Sequence, residues 1–527
     1  MNPPAEQPGQ GRHESVTTDP GIPAEVMTIR PRLVSAWPKL AWVARVEEGS
    51  RAIEVFHGPM VETADDWLAE AVWAGRFSCG DFDQTDLVYG SGVRCRGDKA
   101  IFVTPGAGVG CLWHVRRCGV LHVSNSLPAL LAMAGLSLCE DYKGYTVDLM
   151  NVEIQGIYGC VKSIPVREGK VRLTYFSNLL YDGKNLAEVE KPGLQRRFDC
   201  YADYRGFLSE TARALGANCR DEARRNKVAG LAGISSGYDS PACAVIAREA
   251  GFTRTATIVN STSFWRGSDS GEAIAKRLGM SCQVCRSRPR HYRSEIEIFS
   301  TTGRDAGFNL TVFDYPQPLC LFFDGSYGDK VWDRLPHDLS NPLGDMDAAL
   351  GEFRLAEGIF HTVVPWWGIR QANQINALGA AGEMAPWALG TDYDRPVARR
   401  IVEEAGIERG TFAVRKKNTS SNSPFRWPHS RRARAGFAAY LARRGLRAMP
   451  SWIIRLFRAV TIADILIQRN VLSRLGLRRR RWPLRHTRAN SLLFHWANAE
   501  LRKSYEDGIR AARQCPAGIP DRRGDGT

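Results

Sequence analysis

No apolar run in this chain is long enough to cross a bilayer. Its 527 residues hold no stretch of about 18 uncharged apolar residues, which argues against a transmembrane helix. The longest candidate, Ala459 to Gln468, is short and interrupted by Asp464. The N-terminus lacks a basic region followed by an apolar core, so no secretory signal is read and the expected location is cytoplasmic. The 13 cysteines follow no regular spacing. They lie mostly within apolar segments and read as reduced core thiols. Cys282 and Cys285 form one C-x-x-C pair without a second, whereas a zinc site needs about four ligands. The histidines, among them His114, His122, His291, His337 and His361, are scattered and give no triad pattern.

Acid is missing from one region in particular. From Arg426 to Arg488 the chain carries 17 arginines, no lysine and a single acid, Asp464, a net +16 against +15 for the whole chain. Everything else is therefore close to neutral. An apolar pattern runs through the same region (Phe437, Tyr440, Leu441, then Trp452, Ile453, Leu456, Phe457), which reads as helices with a basic face. Such a face is a solvated surface, or a site for an acidic partner, an anionic membrane surface or nucleic acid. No aromatic stacking pattern or nucleic-acid motif accompanies it, which argues against nucleic acid. A helix from Ser491 to Tyr505 looks amphipathic and is expected to dock. Met1 to Ile29 and the tail from Cys515 read as disordered.

The chemistry is concentrated in Leu231-Ala-Gly-Ile-Ser-Ser-Gly-Tyr-Asp-Ser240. Val228 to Ile234 reads as a buried parallel strand, and Pro241 to Ala250 as a helix with Pro241 in its first turn. Strand, small polar loop and helix start make an anion site, because amides converge there and the helix dipole favours negative charge. Hydroxyls of Ser235, Ser236 and Ser240 add donors, Gly237 lies between them, and Asp239 suits a Mg²⁺ bridging to phosphate. A second apolar segment, Leu319 to Phe323, ends in Asp324-Gly-Ser-Tyr-Gly-Asp-Lys-Val-Trp332. Between the two, strand, helix and strand are predicted over Arg254 to Asn260, Asp269 to Gly279 and Ser281 to Arg286. Alternating strands and helices imply a doubly wound parallel sheet, with ligands at the carboxyl ends of the strands.

The first loop resembles the pyrophosphate loop of the asparagine synthetase family, S-G-G-x-D-S, with Ser236 in place of the family's first Gly. The second is similar to that family's G-x-G-[GSA]-D-E-[VIL]-F loop. Gly325, Gly328, Asp329, Val331 and Trp332 fit it, while Tyr327 replaces a Gly and Lys330 replaces a Glu. The resemblance implies ATP and Mg²⁺ as cofactors, with Asp239 and Asp329 as the metal carboxylates. Lys330 leaves two readings open, phosphate contact or repulsion of the metal. Gly382 to Trp387, Tyr393 to Pro396 and Arg399 to Gly406 resemble the C-terminal part of the same proteins. Thr411-Phe-Ala-Val-Arg-Lys-Lys417 is similar to their F-G-x-x-K segment. Lys416 takes the place of the active-site Lys, with Lys417 beside it.

Further forward, Gly108 to His114 and Gly119 to Leu131 resemble the end of that family's glutaminase domain. The family's catalytic Cys directly after Met1 is absent, since Asn2 stands there and the earliest cysteine is Cys79. The resemblance, over roughly residues 35 to 420, thus implies an α/β protein with an α+β N-terminal part. Its expected divisions are a disordered 1–29, a degenerate glutaminase-like αββα sandwich at 30–150 and a linker at 151–205. An ATP-binding doubly wound domain follows at 206–425, then an Arg-rich helical region at 426–510 and a disordered tail at 511–527. The implied activity is an AMP-forming amide ligase without its own glutaminase. It would join a small-molecule or peptide carboxylate to an amine or ammonia, in tailoring rather than asparagine synthesis. The alternatives are a pseudoenzyme that binds a partner through its Arg-rich arm, and an RNA-modifying enzyme with a related loop.

Overall fold

Short strands dominate the first 190 residues, and the central ones, such as Trp67–Trp73 and Val88–Arg96, are buried along nearly their whole length, as expected where both faces of a sheet are covered. The computed structural model describes residues 26–193, 195–259, 269–286, 292–303, 305–345, 350–414, 427–467 and 487–514. The strands of this part are β1 (Thr28–Leu33), β2 (Trp42–Glu47), β3 (Ala52–His57), β4 (Glu62–Thr63), β5 (Trp67–Trp73), β6 (Val88–Arg96), β7 (Lys99–Val103), β8 (Cys111–Arg117), β9 (Val120–Ser124), β10 (Ser163–Val166), β11 (Gly169–Tyr175), β12 (Asn178–Tyr181) and β13 (Leu186–Val189). They form a seven-stranded sheet, β1-β3-β2-β9-β8-β11-β10, and a six-stranded sheet, β13-β12-β7-β6-β5-β4. Trp42, Ala44 and Val55 of the first sheet meet Leu68, Val93 and Phe102 of the second in one buried cluster, so the sheets are packed face to face.

The outer layers are unequal. Against the seven-stranded sheet lies the helix Leu127–Ala134, which has Ser126 as N-cap (Ala129 N–H to Oγ, 3.1 Å) and Gly135 as left-handed C-cap. Against the six-stranded sheet, Trp67, Trp73, Phe77 and Phe82 form their own cluster, which Arg224 covers with its guanidinium 4.2 Å from the Phe77 ring centre. The helix Tyr201–Arg220 packs alongside.

The second part of the chain supplies β14 (Val228–Gly233), β15 (Arg254–Ile258), β16 (Ser281–Cys285), β17 (Leu319–Asp324) and β18 (Ile359–Val363). They pair in the order β16-β15-β14-β17-β18, all parallel. The strand order reverses between β14 and β17, which makes a switch point there. One face of this sheet packs with the helices Asp239–Glu249 and Pro396–Glu404. The other packs with residues of the helices Glu295–Phe299, Gly351–Glu357, Arg431–Arg443 and Thr487–Gln514. Burial on both faces explains why β17 reads as a continuous apolar run. The protein is thus a mixed α/β chain that includes a five-stranded parallel sheet.

Three expected boundaries move. The segment 151–205, expected as a linker, contains β10 to β13, which complete both sheets of the sandwich. β1 starts at Thr28, inside the predicted disordered segment 1–29. The Arg-rich region does not stand apart. Its helix Arg431–Arg443 buries Phe437 and Leu441 against the parallel sheet's helices, and the closing helix runs to Gln514, past the predicted end at 510. That closing helix packs on Leu127–Ala134 and on Glu295–Phe299, and so ties the sandwich to the parallel sheet. A buried ion pair does the same: Arg354 donates to both oxygens of Glu70 at 3.0 and 2.9 Å, while Ser91 and Asn125 also donate to that carboxylate. Among the described residues no helix is long and apolar enough to cross a membrane.

Candidate functional site

β14 and β17 are neighbours, so the loops that leave their carboxyl ends meet. The first runs from Ile234 into the helix Asp239–Glu249, whose N-terminus has no side-chain cap. First-turn amides without a cap remain for water or a ligand. The loop is held by its own hydroxyls. Ser240 Oγ accepts the Ser235 N–H at 2.9 Å and lies 2.7 Å from Ser235 Oγ, which in turn accepts the Gly237 N–H at 3.2 Å. Ser236 Oγ donates to Asp269 Oδ1 at 2.7 Å, and its N–H to the Asp269 carbonyl at 3.2 Å. The three hydroxyls expected to face a phosphate are therefore engaged in ordering the loop, and so are the amides of Ser235, Ser236 and Gly237, which leaves the uncapped start of the helix Asp239–Glu249 as the source of N–H donors. Ser236, standing where a Gly was expected, is not in a left-handed conformation, so its Cβ brings no backbone strain. Gly237 is equally unconstrained, for an added Cβ would find only ordinary contacts at 3.4 Å.

Glycine is required in the second loop. A Cβ on Gly328 would stand 2.6 Å from Cγ of Asp239, and one on Gly325 would stand 2.9 Å from its Cβ. Asp239 of the first loop is thus seated directly on the second. Tyr327 keeps a left-handed backbone, φ 70°, although it carries a side chain; this strain is of the order of 1 kcal/mol or more. Its ring lies 6.0 Å from Trp366. Asp324 shapes the loop start. It accepts the Gly325 N–H at 2.7 Å and the Ser326 hydroxyl at 2.6 Å, and His361 Nε2 lies 3.1 Å away. Burial alone would raise the pKa of Asp324, but the His361 hydrogen bond and charge, with Ser326 and Gly325, hold it below the usual carboxylate range. Asp329 is exposed at the loop surface and Lys330 is half-buried.

A third segment closes the site. Arg395, buried just ahead of the helix Pro396–Glu404, makes an ion pair with Asp239. Burial lowers the pKa of Arg395, and the charge and hydrogen bond of Asp239, followed by the charges of Tyr393 and Asp329, outweigh it, so the net shift is upward. Tyr393 packs edge-on against Tyr238 with ring centres 4.9 Å apart, and Arg399 lies over Tyr238 at 5.0 Å and donates to its hydroxyl. Further along, the Ala413 N–H donates to the Ser236 carbonyl at 2.7 Å, which brings the chain three residues before Lys416 onto the first loop. Lys416 and Lys417 themselves lie outside the described residues.

The donor set bears on the metal question. Among the described residues no group of three or more His, Cys, Asp or Glu side chains could enclose an ion. Two carboxylates at adjacent loops are nonetheless the complement Mg²⁺ takes when phosphates and waters fill its remaining positions. Asp239 and Asp329 stand on two such loops, and in this structure the counter-charge of Asp239 is Arg395. Arg395, Asp269 and His361 each reach the site from a distant segment, and nothing local in the sequence, the Tyr393-Asp-Arg-Pro396 pattern included, marks Arg395 as the partner of Asp239. No protein-family model matches the chain, and no curated protein matches it at a significant level.

Proposed function

We propose that the chain is an ATP-dependent, AMP-forming amide ligase of the asparagine-synthetase type. On this reading the sandwich is a glutaminase-like domain without a nucleophile, and the parallel sheet is an ATP pyrophosphatase-type domain. The observation that carries the reading is Asp239, set against Gly325 and Gly328 at the switch point and ion-paired with Arg395, with Asp329 on the same second loop. A carboxylate oxygen of the acid substrate attacks the α-phosphorus of ATP, and the bond to the pyrophosphate oxygen breaks. An amine or ammonia nitrogen then attacks the acyl carbon, AMP departs with the acyl C–O electrons, and the nitrogen loses a proton. The amides at the uncapped start of the helix Asp239–Glu249 would hold the leaving pyrophosphate, and Asp239 and Asp329 would hold Mg²⁺, which would supply charge neutralisation there. Arg395 exchanges its carboxylate partner for a phosphate oxygen, a planar match for its guanidinium. Lys416, by resemblance, stabilises the charge of amide formation.

Calorimetry of Mg-ATP on the native chain and on Asp239→Ala tests this without knowledge of the acid or amine. Binding in the micromolar to millimolar range, lost in the variant, is expected. No binding by a folded native chain sinks the reading. The Arg395–Asp239 pair favours one alternative, a pseudoenzyme in which arginine permanently replaces the metal charge, and the same null result would support it.

A further inference from the structure

The helix Ser451–Ile467 is apolar on two opposite sides. Inward, Ile454 is buried in the cluster that holds Phe437, Leu493 and Trp496, with Phe457 packed beside it. Outward, Trp452 is 62 % exposed, Leu456 54 %, Val460 37 % and Ile467 52 %. Ala459 and Ala463 are exposed as well. At 3.6 residues per turn these six positions fall within a sector of about 100°, a continuous stripe. Arg455 borders the stripe and Arg447 precedes it, both exposed, and the helix before it exposes Arg431, Arg432, Arg434 and Arg443. Among the described residues, Arg431, Arg432, Arg447 and Arg455 make no ion pair.

We propose that this face docks the protein onto an anionic phospholipid bilayer, with Trp452, Leu456, Val460 and Ile467 at the acyl boundary and Arg447 and Arg455 on headgroup phosphates. Charge complementarity selects the occupant. A second copy would bring arginines against arginines. Nucleic acid would satisfy the arginines but leave Leu456, Val460 and Ile467 in water, with Trp452 as the one exposed ring for stacking on this helix. A bilayer surface takes both halves: the aliphatic stripe and indole enter the interface while guanidinium groups reach phosphate. The helix, too short and too polar to span, would lie in the plane of the surface.

Sedimentation of the full chain with vesicles of phosphatidylcholine, with and without phosphatidylserine, tests this. Binding to the mixed vesicles alone is expected. Trp452→Ser with Leu456→Ser should abolish it, since both side chains are exposed and their loss leaves the fold, checked by circular dichroism, intact. Arg447→Gln with Arg455→Gln should weaken it by about tenfold or more. Failure to bind mixed vesicles overturns the proposal, and so does binding indifferent to Trp452→Ser with Leu456→Ser. Self-association abolished by those two changes, without vesicle binding, would assign the face to a second copy instead. Preference for a single-stranded oligonucleotide over the mixed vesicles would assign it to nucleic acid. None of these variants touches the Asp239 site, so the outcome is independent of the ligase reading.

Discussion

At the scale of single residues, the site depends on how closely two loops can approach. Gly328 and Gly325 are small because Asp239 needs their space. In Gly328→Ala the new Cβ must push Asp239 off the second loop, since the three nearest atoms all belong to that short side chain. The expected result is a loss of about 1–3 kcal/mol in unfolding free energy, together with loss of Mg-ATP binding. Gly237→Ala, which meets only ordinary contacts, should leave stability nearly unchanged and serves as the control. Arg395→Gln makes a different prediction. It removes a buried cation that pairs with the partly buried Asp239, which should cost about 2–3 kcal/mol after allowing for solvent access. If Asp239 and Asp329 form a metal site, Mg²⁺ should raise the melting temperature of this variant more than that of the native chain; an equal response would argue against the site. The Asp239 and Asp329 loops were legible in sequence because each is a local string after an apolar strand. Arg395 was not, since its partner lies 156 residues away and ion pairs across such distances leave no periodicity.

At the scale of elements, strong local signals and weak ones separate clearly. β14, β17 and the helix Asp239–Glu249 fall within a residue or two of where an apolar run, a polar loop and Pro241 place them. The helix expected over Asp269 to Gly279 shortens to Glu272–Arg277, because Asp269 and Ser270 are drawn into contact with the first loop. The strands β10, β12 and β13 are only four residues long, too short for a period-2 pattern to emerge, and so read as linker. The closing helix reads as amphipathic from its sequence, but not what it covers. Its Tyr505 donates to Glu352 Oε2 at 2.6 Å, inside the contact with the helix Gly351–Glu357. Burial pushes the Glu352 carboxyl up to about 7 from 4.5, against the opposing hydrogen bonds from Tyr505 and Ser126. The folded state therefore retains a proton that the unfolded chain releases above its ordinary carboxylate range. The resulting penalty grows as pH rises from about 4.5 and is complete above about 7. Glu352→Gln keeps an oxygen for Tyr505 and removes the titration. It should stabilise the protein at slightly alkaline pH by about 2–3 kcal/mol and leave it unchanged in acid. Equal effects at both ends of the range would mean that Glu352 is ionised in the folded protein.

At the scale of the whole molecule, the buried histidines pull the other way. His114 on β8 and His122 on β9 are held at about 4, first by burial and then by Arg172 and Arg45 respectively. His429, ahead of the helix Arg431–Arg443, is held at about 3 by burial and then by Arg458 and Arg434. Each is a base with a depressed folded pKa, so its contribution to stability is complete above the ordinary value of 6.5 and is lost as pH falls toward 4. Three such groups act against two carboxyls that burial raises, Glu352 and Glu297, and their combined effect is the larger. Acid also adds charge to a chain already at +15, which increases self-repulsion. The sandwich and the parallel sheet share the Glu70–Arg354 pair and the closing helix, so this loss should be felt by both at once. The urea midpoint should therefore fall by an amount worth several kcal/mol between about pH 7 and about pH 5, with tryptophan fluorescence and far-UV circular dichroism moving together. His114→Gln with His122→Asn should flatten that dependence. A midpoint constant over this range would mean that the histidines titrate freely, and two separated transitions would mean that the shared contacts do not couple the sandwich to the parallel sheet.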